Sequence, residues 1–394
     1  MKKKICVFTG TRAEYWLLKP LIDKLKKNDN IFELYLVISG MHLSKEFGYT
    51  YRDIDKNGIK IETVEMLLSS DSEVGITKSV GVGIIGYADV LNRIKPDLVV
   101  LLGDRFETFA FASASFLMRI SIAHLHGGEL TFGAIDESLR HAITKLSMFH
   151  FTSTEEYRKN VIQMGEEPDR VFNVGAIGLD NIKKMKLLSK DELEKSLNFK
   201  LGKYNFLFTF HPETIYKEKT EESFRIILNS LRKILNEVKD LKIIFTKANA
   251  DHEGSIINRM LEKFVREFKD QTILFDSLGS LRYLSLVSYV DAVVGNSSSG
   301  IIEVPSFKKP TINIGKRQEG RIKAAESVID VNIDENKLYE SYKKVLFDRD
   351  FKEKLKFIKN PYGDGNTSEK IIEILKNLDF TFRKKEFFKI DFNL

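Results

Sequence analysis

Asp97-Leu98-Val99-Val100-Leu101-Leu102-Gly103-Asp104-Arg105 is the stretch on which the fold turns. An acid, an unbroken apolar run and then a glycine with a charged pair is the pattern of a strand buried on both faces, and the Ala- and Phe-rich residues after it read as its helix. Polar residues at the carboxyl end of such a strand stand where open α/β sheets take their ligands. Working outward, residues 4–9, 33–39, 120–125 and 149–153 read as further parallel strands, and residues 14–27 as an amphipathic helix with Leu17, Leu18, Leu21, Ile22 and Leu25 on one face. After a Lys-rich helical stretch at 183–197 a second series begins, with strands at 204–210, 242–246, 272–275, 291–295 and 310–314 and helices at 222–238, 256–268 and 369–378. This alternation predicts the α/β class, with two doubly wound parallel layers joined near residue 180 and facing each other so that their strand ends converge on one cleft.

The 394 residues suffice for two such domains, and 43% hydrophobic with 30% charged residues is the composition of a folded globular chain. The single Cys6 lies in an apolar stretch and reads as a buried structural thiol in a reducing compartment. Apolar runs such as 5–8 and 98–102 are too short for a signal-peptide core or for the roughly 20 residues of a bilayer span, so a cytoplasmic protein with no membrane partner is expected. A net charge of +6 over 62 basic and 56 acidic residues, without a basic block, argues against a nucleic-acid partner and suits an anionic small molecule.

Gly81-Val82-Gly83-Ile84-Ile85-Gly86 has the spacing of a dinucleotide fingerprint, but Thr77-Lys78-Ser79 rather than an apolar strand leads into it, so it reads as a small-residue helix. Gly10-Thr11-Arg12-Ala13-Glu14 follows the first strand with only one glycine, and Arg12 there suits a phosphate or carboxylate clamp. Gly295-Asn296-Ser297-Ser298-Ser299-Gly300 is a better anion site, because amide groups and three hydroxyls would meet at a helix start for a diphosphate. Glu303, just beyond, is placed for a ribose diol. In the first series Asp104 and Arg105 end one strand, and His124, His126 and Glu129 follow the next. The helix after them carries Asp136, Glu137, Arg140 and His141, with Asp136–Arg140 and Glu137–His141 at i,i+4. The set reads as general acid and base chemistry; His-x-His with a distant Glu has no metal-ligand spacing, so no metal is expected. His211, ahead of Pro212, ends the first strand of the second series.

Taken in order, Gly10-Thr-Arg-Ala-Glu-Tyr15, Gly103-Asp-Arg105, His124-Leu-His-Gly-Gly-Glu129, Arg140-His-Ala-Ile-Thr-Lys145, Phe210-His-Pro-Glu-Thr214, Gly295-Asn-Ser-Ser-Ser-Gly300 and Asn313-Ile-Gly-Lys-Arg-Gln318 resemble the hydrolysing UDP-N-acetylglucosamine 2-epimerases of sialic-acid biosynthesis. The resemblance runs from residue 4 to about residue 378. It implies the GT-B architecture: a Rossmann-like domain over 1–180 with the acid and base residues, a nucleotide-binding Rossmann-like domain over 181–368, and a helix and tail over 369–394 returning toward the first. It implies release of UDP with inversion at C2, giving N-acetylmannosamine, with no cofactor; a homo-oligomer, dimer or tetramer, is expected.

Residue by residue, the resemblance makes Asp104 and Asp136 the catalytic carboxylates, with His126, Glu129 and His211 as further catalytic groups. Arg12, Ser297, Ser298, Glu303 and Arg317, again with His211, would hold the nucleotide diphosphate; Arg105, Arg140 and Asn249 are further substrate contacts. Where many relatives read His-Ile-Glu-Gly-Gly-Glu, this chain has His126 in place of the first Glu, and Trp16 stands where some carry a small residue. Breaking C1–O builds oxocarbenium character that carboxylates stabilise, and removal and return of the C2 proton from opposite faces of a glycal needs two acid/base groups, with His126 or Glu129 managing water. Ala13, where the non-hydrolysing relatives read Pro, favours hydrolysis. The alternatives are the same chemistry on GDP-N-acetylglucosamine or on a UDP-linked 2,4-diacetamido sugar, the non-hydrolysing epimerase, a GT-B glycosyltransferase and a nucleotide-sugar sensor.

Overall fold

Along the first strand Ile5 and Val7 enter one apolar layer while Cys6 and Phe8 enter another, the period-two alternation of a strand covered on both faces. Cys6 is fully buried, and burial pushes its thiol well above the usual range. The computed structural model describes residues 2–68, 72–132, 135–212, 220–248 and 252–391. The strands, all in parallel pairings, are β1 Lys3–Thr9, β2 Phe32–Ser39, β3 Lys60–Val64, β4 Leu98–Leu102, β5 Ser121–Leu125, β6 Phe149–Thr152 and β7 Val171–Asn173 in one sheet. A second sheet holds β8 Tyr204–Thr209, β9 Leu241–Thr246, β10 Thr272–Phe275, β11 Ala292–Gly295, β12 Thr311–Ile314 and β13 Val328–Val331. Their orders are β3-β2-β1-β4-β5-β6-β7 and β10-β9-β8-β11-β12-β13. Both reverse direction beside their first strand, so each sheet has a switch point, between β1 and β4 and between β8 and β11.

The chain divides into two units, Met1–Glu129 with Ile135–Lys183 and Tyr362–Leu394, and Leu130–Ala134 with Lys184–Pro361. The return therefore starts at Tyr362, ahead of the final helix Thr367–Asn377. Asp180 fixes that helix start, accepting from the Thr367 and Ser368 amides at 2.7 and 2.8 Å, and Ile371, Ile372 and Leu375 complete the layer formed by β1, β2 and the helix Arg12–Lys27. The helical stretch expected at 183–197 is two helices, Leu179–Lys184 and Lys190–Leu197. Ser189 and Glu192 form a capping box that starts the second one afresh.

Strands β3, β7 and β13 are additions to the sequence reading. Each lies at or near a sheet edge, is three to five residues long and carries polar residues, so none shows the apolar run of a central strand. Gly81 to Gly86 lie inside the helix Glu73–Ile94, and a Cβ at Gly86 would stand 2.6 Å from Val64 Cγ1. That glycine lets the helix close on β3 and has no phosphate-binding turn around it.

Candidate active site

In the first unit the polar groups gather at the switch point. Gly103, at φ +77°, turns the chain out of β4, and Asp104 follows with its carboxylate on the Arg140 guanidinium. Arg140 is 3% exposed and also donates to Glu137 at 3.1 Å and to the Glu129 carbonyl at 2.6 Å. Glu137 holds His141 at 3.2 Å as well, so the helix Asp136–Leu146 presents a chain His141–Glu137–Arg140–Asp104. Arg140, expected as a substrate contact, is thus a buried hub that orients two carboxylates. Asp136 opens the same helix; burial works against the charge of the Arg105 guanidinium, and Glu107 first, then Glu14 and least Asp136 outweigh it and hold its proton more tightly.

Arg105 is likewise engaged, donating to both oxygens of the fully buried Glu107 at 3.1 Å. Glu14 lies in the same field and accepts the Gly10 and Thr11 amides at 2.8 and 3.1 Å. Desolvation raises its carboxyl to about 7, with Arg105 pulling down and Glu107 pushing up. Sequence reasoning missed Glu107, although it stands two residues after the Gly103-Asp104-Arg105 signal. Arg12 begins the helix beside Glu14, half exposed, with Asp53 at 3.9 Å.

His124 is fully buried on β5 and its Nε2–H donates to the Gly103 carbonyl at 2.7 Å, pinning the turn that carries Asp104; desolvation lowers it to about 3, so the ring is neutral. His126 sits at φ +66°, a conformation a non-glycine residue adopts only when held. The Ile177 amide donates to its Nε2 at 3.3 Å, so the proton is on Nδ1, which faces Glu129 at 2.8 Å. Ser153 donates to the same Glu129 carboxylate at 2.6 Å. The expected water-managing pair is thus a locked His126–Glu129–Ser153 triad with both imidazole nitrogens engaged. Ser153 and the Ile177 amide carried no local sequence signal. Among the described residues no cluster of three or more His, Cys, Asp or Glu side chains has metal-holding geometry.

In the second unit β8 and β11 end side by side. The Asn296 amide knits their loops, its Oδ1 accepting from the His211 amide at 2.7 Å and its Nδ2 donating to the His211 carbonyl at 2.8 Å. Gly295, at φ +129°, is required because a Cβ there would overlap the Thr209 carbonyl at 1.8 Å. His211 is lowered to about 3, chiefly by desolvation and then by the charge of Arg317. Arg317 and Gln318 both donate to the Asn296 carbonyl, at 3.1 and 2.9 Å. Ser297 occupies the N-cap position of the helix Ser298–Ile302 without a side-chain cap bond, and neither its hydroxyl nor that of Ser298 has a hydrogen-bond partner among the described residues. Ser299 differs from the expected trio: it donates to Glu303 and lies 2.6 Å from the Tyr283 hydroxyl. Glu303, held by Ser299, has its carboxyl raised by burial. Asn249, Glu213 and Thr214 lie outside the described residues.

Two Rossmann-type units, each with its polar groups at its own switch point, define an α/β protein of GT-B-like architecture. The sequence profile of the UDP-N-acetylglucosamine 2-epimerase family matches residues 24–376. The GDP/UDP-N,N'-diacetylbacillosamine 2-epimerase (hydrolyzing) of Campylobacter jejuni is 43% identical over 379 residues, 96% of either chain. The polysialic acid biosynthesis protein P7 of Escherichia coli is 37% identical, over 98% of this chain and 96% of its own. The UDP-GlcNAc 2-epimerase of Neisseria meningitidis, solved bound to UDP-GlcNAc, superposes with a TM-score of 0.79 at 23% identity, covering 95% of this chain and 99% of its own. The chain belongs to the UDP-N-acetylglucosamine 2-epimerase family and is an enzyme of that family.

Proposed function

We propose that this enzyme is a hydrolysing 2-epimerase: it takes a nucleotide-linked 2-acetamido sugar and water, and gives the free 2-epimer and nucleoside diphosphate. The observation that carries the reading is the Asp104 carboxylate, held at the switch point by a buried Arg140 that Glu137 also grips. A carboxyl group with a fixed orientation is what proton transfer at a sugar ring carbon requires. In the reaction the C1–O bond breaks, its electron pair leaving with the diphosphate, while one carboxylate takes the C2 proton to give a glycal. A second acid then delivers its proton to C2 on the other face while water adds its hydroxyl at C1; water's remaining proton restores that acid, and the proton taken from C2 leaves the first carboxylate for solvent. Asp104 and Asp136 take these two roles, and the His126–Glu129–Ser153 triad orients the water.

The second unit would grip the diphosphate with the Ser297 and Ser298 hydroxyls, the amides at their helix start and Arg317, and the ribose with Glu303. Arg12 supplies a further cation, and the neutral His211 a donor or acceptor beside Arg317. The name of the Campylobacter relative favours a UDP- or GDP-linked 2,4-diacetamido sugar as substrate. The family description and the motif set support a second reading, UDP-N-acetylglucosamine giving N-acetylmannosamine. The test is to incubate the purified protein with each nucleotide sugar and resolve free from nucleotide-linked product. Free 2-epimer from one donor with a clear kcat/KM preference is expected. A product that stays nucleotide-linked would place the chain with non-hydrolysing epimerases, and transfer to an acceptor would make it a glycosyltransferase.

A further inference from the structure

Between Glu129, which the first unit holds through His126 and Ser153, and Asp136, which opens the helix Asp136–Leu146, the chain leaves that unit: Leu130–Ala134 count with the second. The described part of this crossing, residues 130–132, lies on the turn that follows β12. The Phe132 amide donates to the Glu319 carbonyl at 3.2 Å. Gly320 stands at φ +89°, and a Cβ there would come 3.0 Å from Phe132 Cε2 and 3.1 Å from the Leu130 Cβ. We propose, resting on the roles assigned to Glu129, Asp136 and Arg317, that Phe132 is a positioning residue: seated on Glu319 and Gly320, it ties the placement of the two carboxylates to the loop that grips the nucleotide diphosphate.

Each side of this contact is fixed by its own neighbours. Arg317 and the buried Gln318, immediately before Glu319, both donate to the Asn296 carbonyl, and Asn296 holds the His211 backbone, so Glu319 and Gly320 extend the framework of the grip loop itself. The Glu319 amide closes the turn onto the Lys316 carbonyl at 2.8 Å. On the other side Arg140 donates to the Glu129 carbonyl at 2.6 Å, one residue before Leu130. The helix that starts at Asp136 has Ile135 at its N-cap position, a side chain with no oxygen to accept the free amides, so the direction in which the chain enters Asp136 is left to the crossing. Gly320 lacks a side chain for two reasons, its left-handed backbone and the ring edge lying where a Cβ would go. A misplacement of about 1 Å is enough to cost a positioned acid or base much of its rate, so a contact that fixes this segment acts on turnover without touching substrate. A ligand on Arg317 that stiffens the turn also stiffens the segment seated on it.

Hydrogen exchange of the protein with and without UDP, read by mass spectrometry beside steady-state kinetics, tests this. UDP should slow exchange in parent peptides covering residues 129–141. Phe132 is 59% exposed, so its removal leaves no core cavity, and Phe132→Ala should melt near the parent. That variant should lose the UDP protection while UDP affinity stays within about 3-fold, and its kcat should fall by about 10-fold with KM little changed. Phe132→Tyr, which keeps the ring edge on Gly320, should restore both kcat and protection. Undiminished protection and kcat in Phe132→Ala would overturn the proposal, as would a kcat loss that Phe132→Tyr does not restore, or parent amides over 129–141 that ignore bound UDP. Protection lost in Phe132→Ala, together with a parent product that stays nucleotide-linked, would uphold the coupling and overturn only the hydrolytic reading.

Discussion

Around the switch point of the first sheet, Asp104, Glu107, Glu129 and Glu137 each share an ion pair with Arg140, Arg105 or an imidazole, and several of these groups are buried. At the switch point of the second sheet the polar groups are backbone amides, the Asn296 amide, serine hydroxyls, Glu303 and the Arg317 guanidinium. The same strand order thus carries two kinds of polar group. Paired charges with restricted solvent fix the aim of carboxylates, which suits proton transfer. Fixed dipoles with one cation suit an anion that arrives and leaves.

If this division holds, substitutions in the first unit should change turnover and those in the second should change nucleotide affinity. The largest effect is expected of Asp104→Asn and Asp136→Asn, each lowering kcat by at least ~10²-fold, as for loss of a positioned acid or base, with UDP affinity unchanged. Steady-state kinetics beside calorimetric titration with UDP would show it; near-normal turnover would leave the residue a member of the ion-pair network. Glu303→Ala should instead weaken UDP binding by about 1–3 kcal/mol and leave the fold intact, the range for removing a partner of buried hydrogen-bonding groups. Equal UDP affinity in this variant would remove the ribose assignment. Glu137→Gln should lower kcat by about 10-fold, less than Asp104→Asn, because it loosens Arg140 without removing the acid itself. A loss as great as that of Asp104→Asn would move Glu137 from orienting to reacting.

The smallest effect is on stability against pH. His42, His124, His150 and His211 are all lowered by burial, to about 4, about 3, below the ordinary value, and about 3 respectively. The unfolded chain therefore binds more protons below the ordinary 6.5, and stability is lost as pH falls from there. Glu14 acts in the opposite sense: its carboxyl is raised from 4.5 to about 7, so its contribution is present at low pH and is lost as pH rises through that window. Melting temperatures between pH 7.5 and 4.5 should fall toward acid, and fall more steeply in Glu14→Gln, where the opposing contribution is gone. A shallower acid slope in that variant would contradict the assignment.

The central strands were legible because residues such as Leu98 to Leu102 are apolar without interruption, and parallel strands buried on both faces must be. Edge strands such as Lys60–Val64 alternate with polar residues and offer no such run. The site was legible to the extent that its residues cluster in sequence at strand ends, as Asp104 and Ser297 do. Its partners were not, because Ser153, Tyr283 and the Ile177 amide come from distant elements and carry no local pattern. The i,i+4 spacing suggested Asp136 for Arg140, whereas the helix presents Glu137 to it at i,i+3 and the turn after β4 brings Asp104, a partner that no local spacing announces.

The most direct test of the account is the reaction in deuterated water, followed by NMR with the preferred nucleotide sugar. It predicts free 2-epimer carrying one solvent deuteron at C2, together with nucleoside diphosphate, and none of this in Asp104→Asn. Product that keeps its original C2 hydrogen, or that remains attached to the nucleotide, would contradict it.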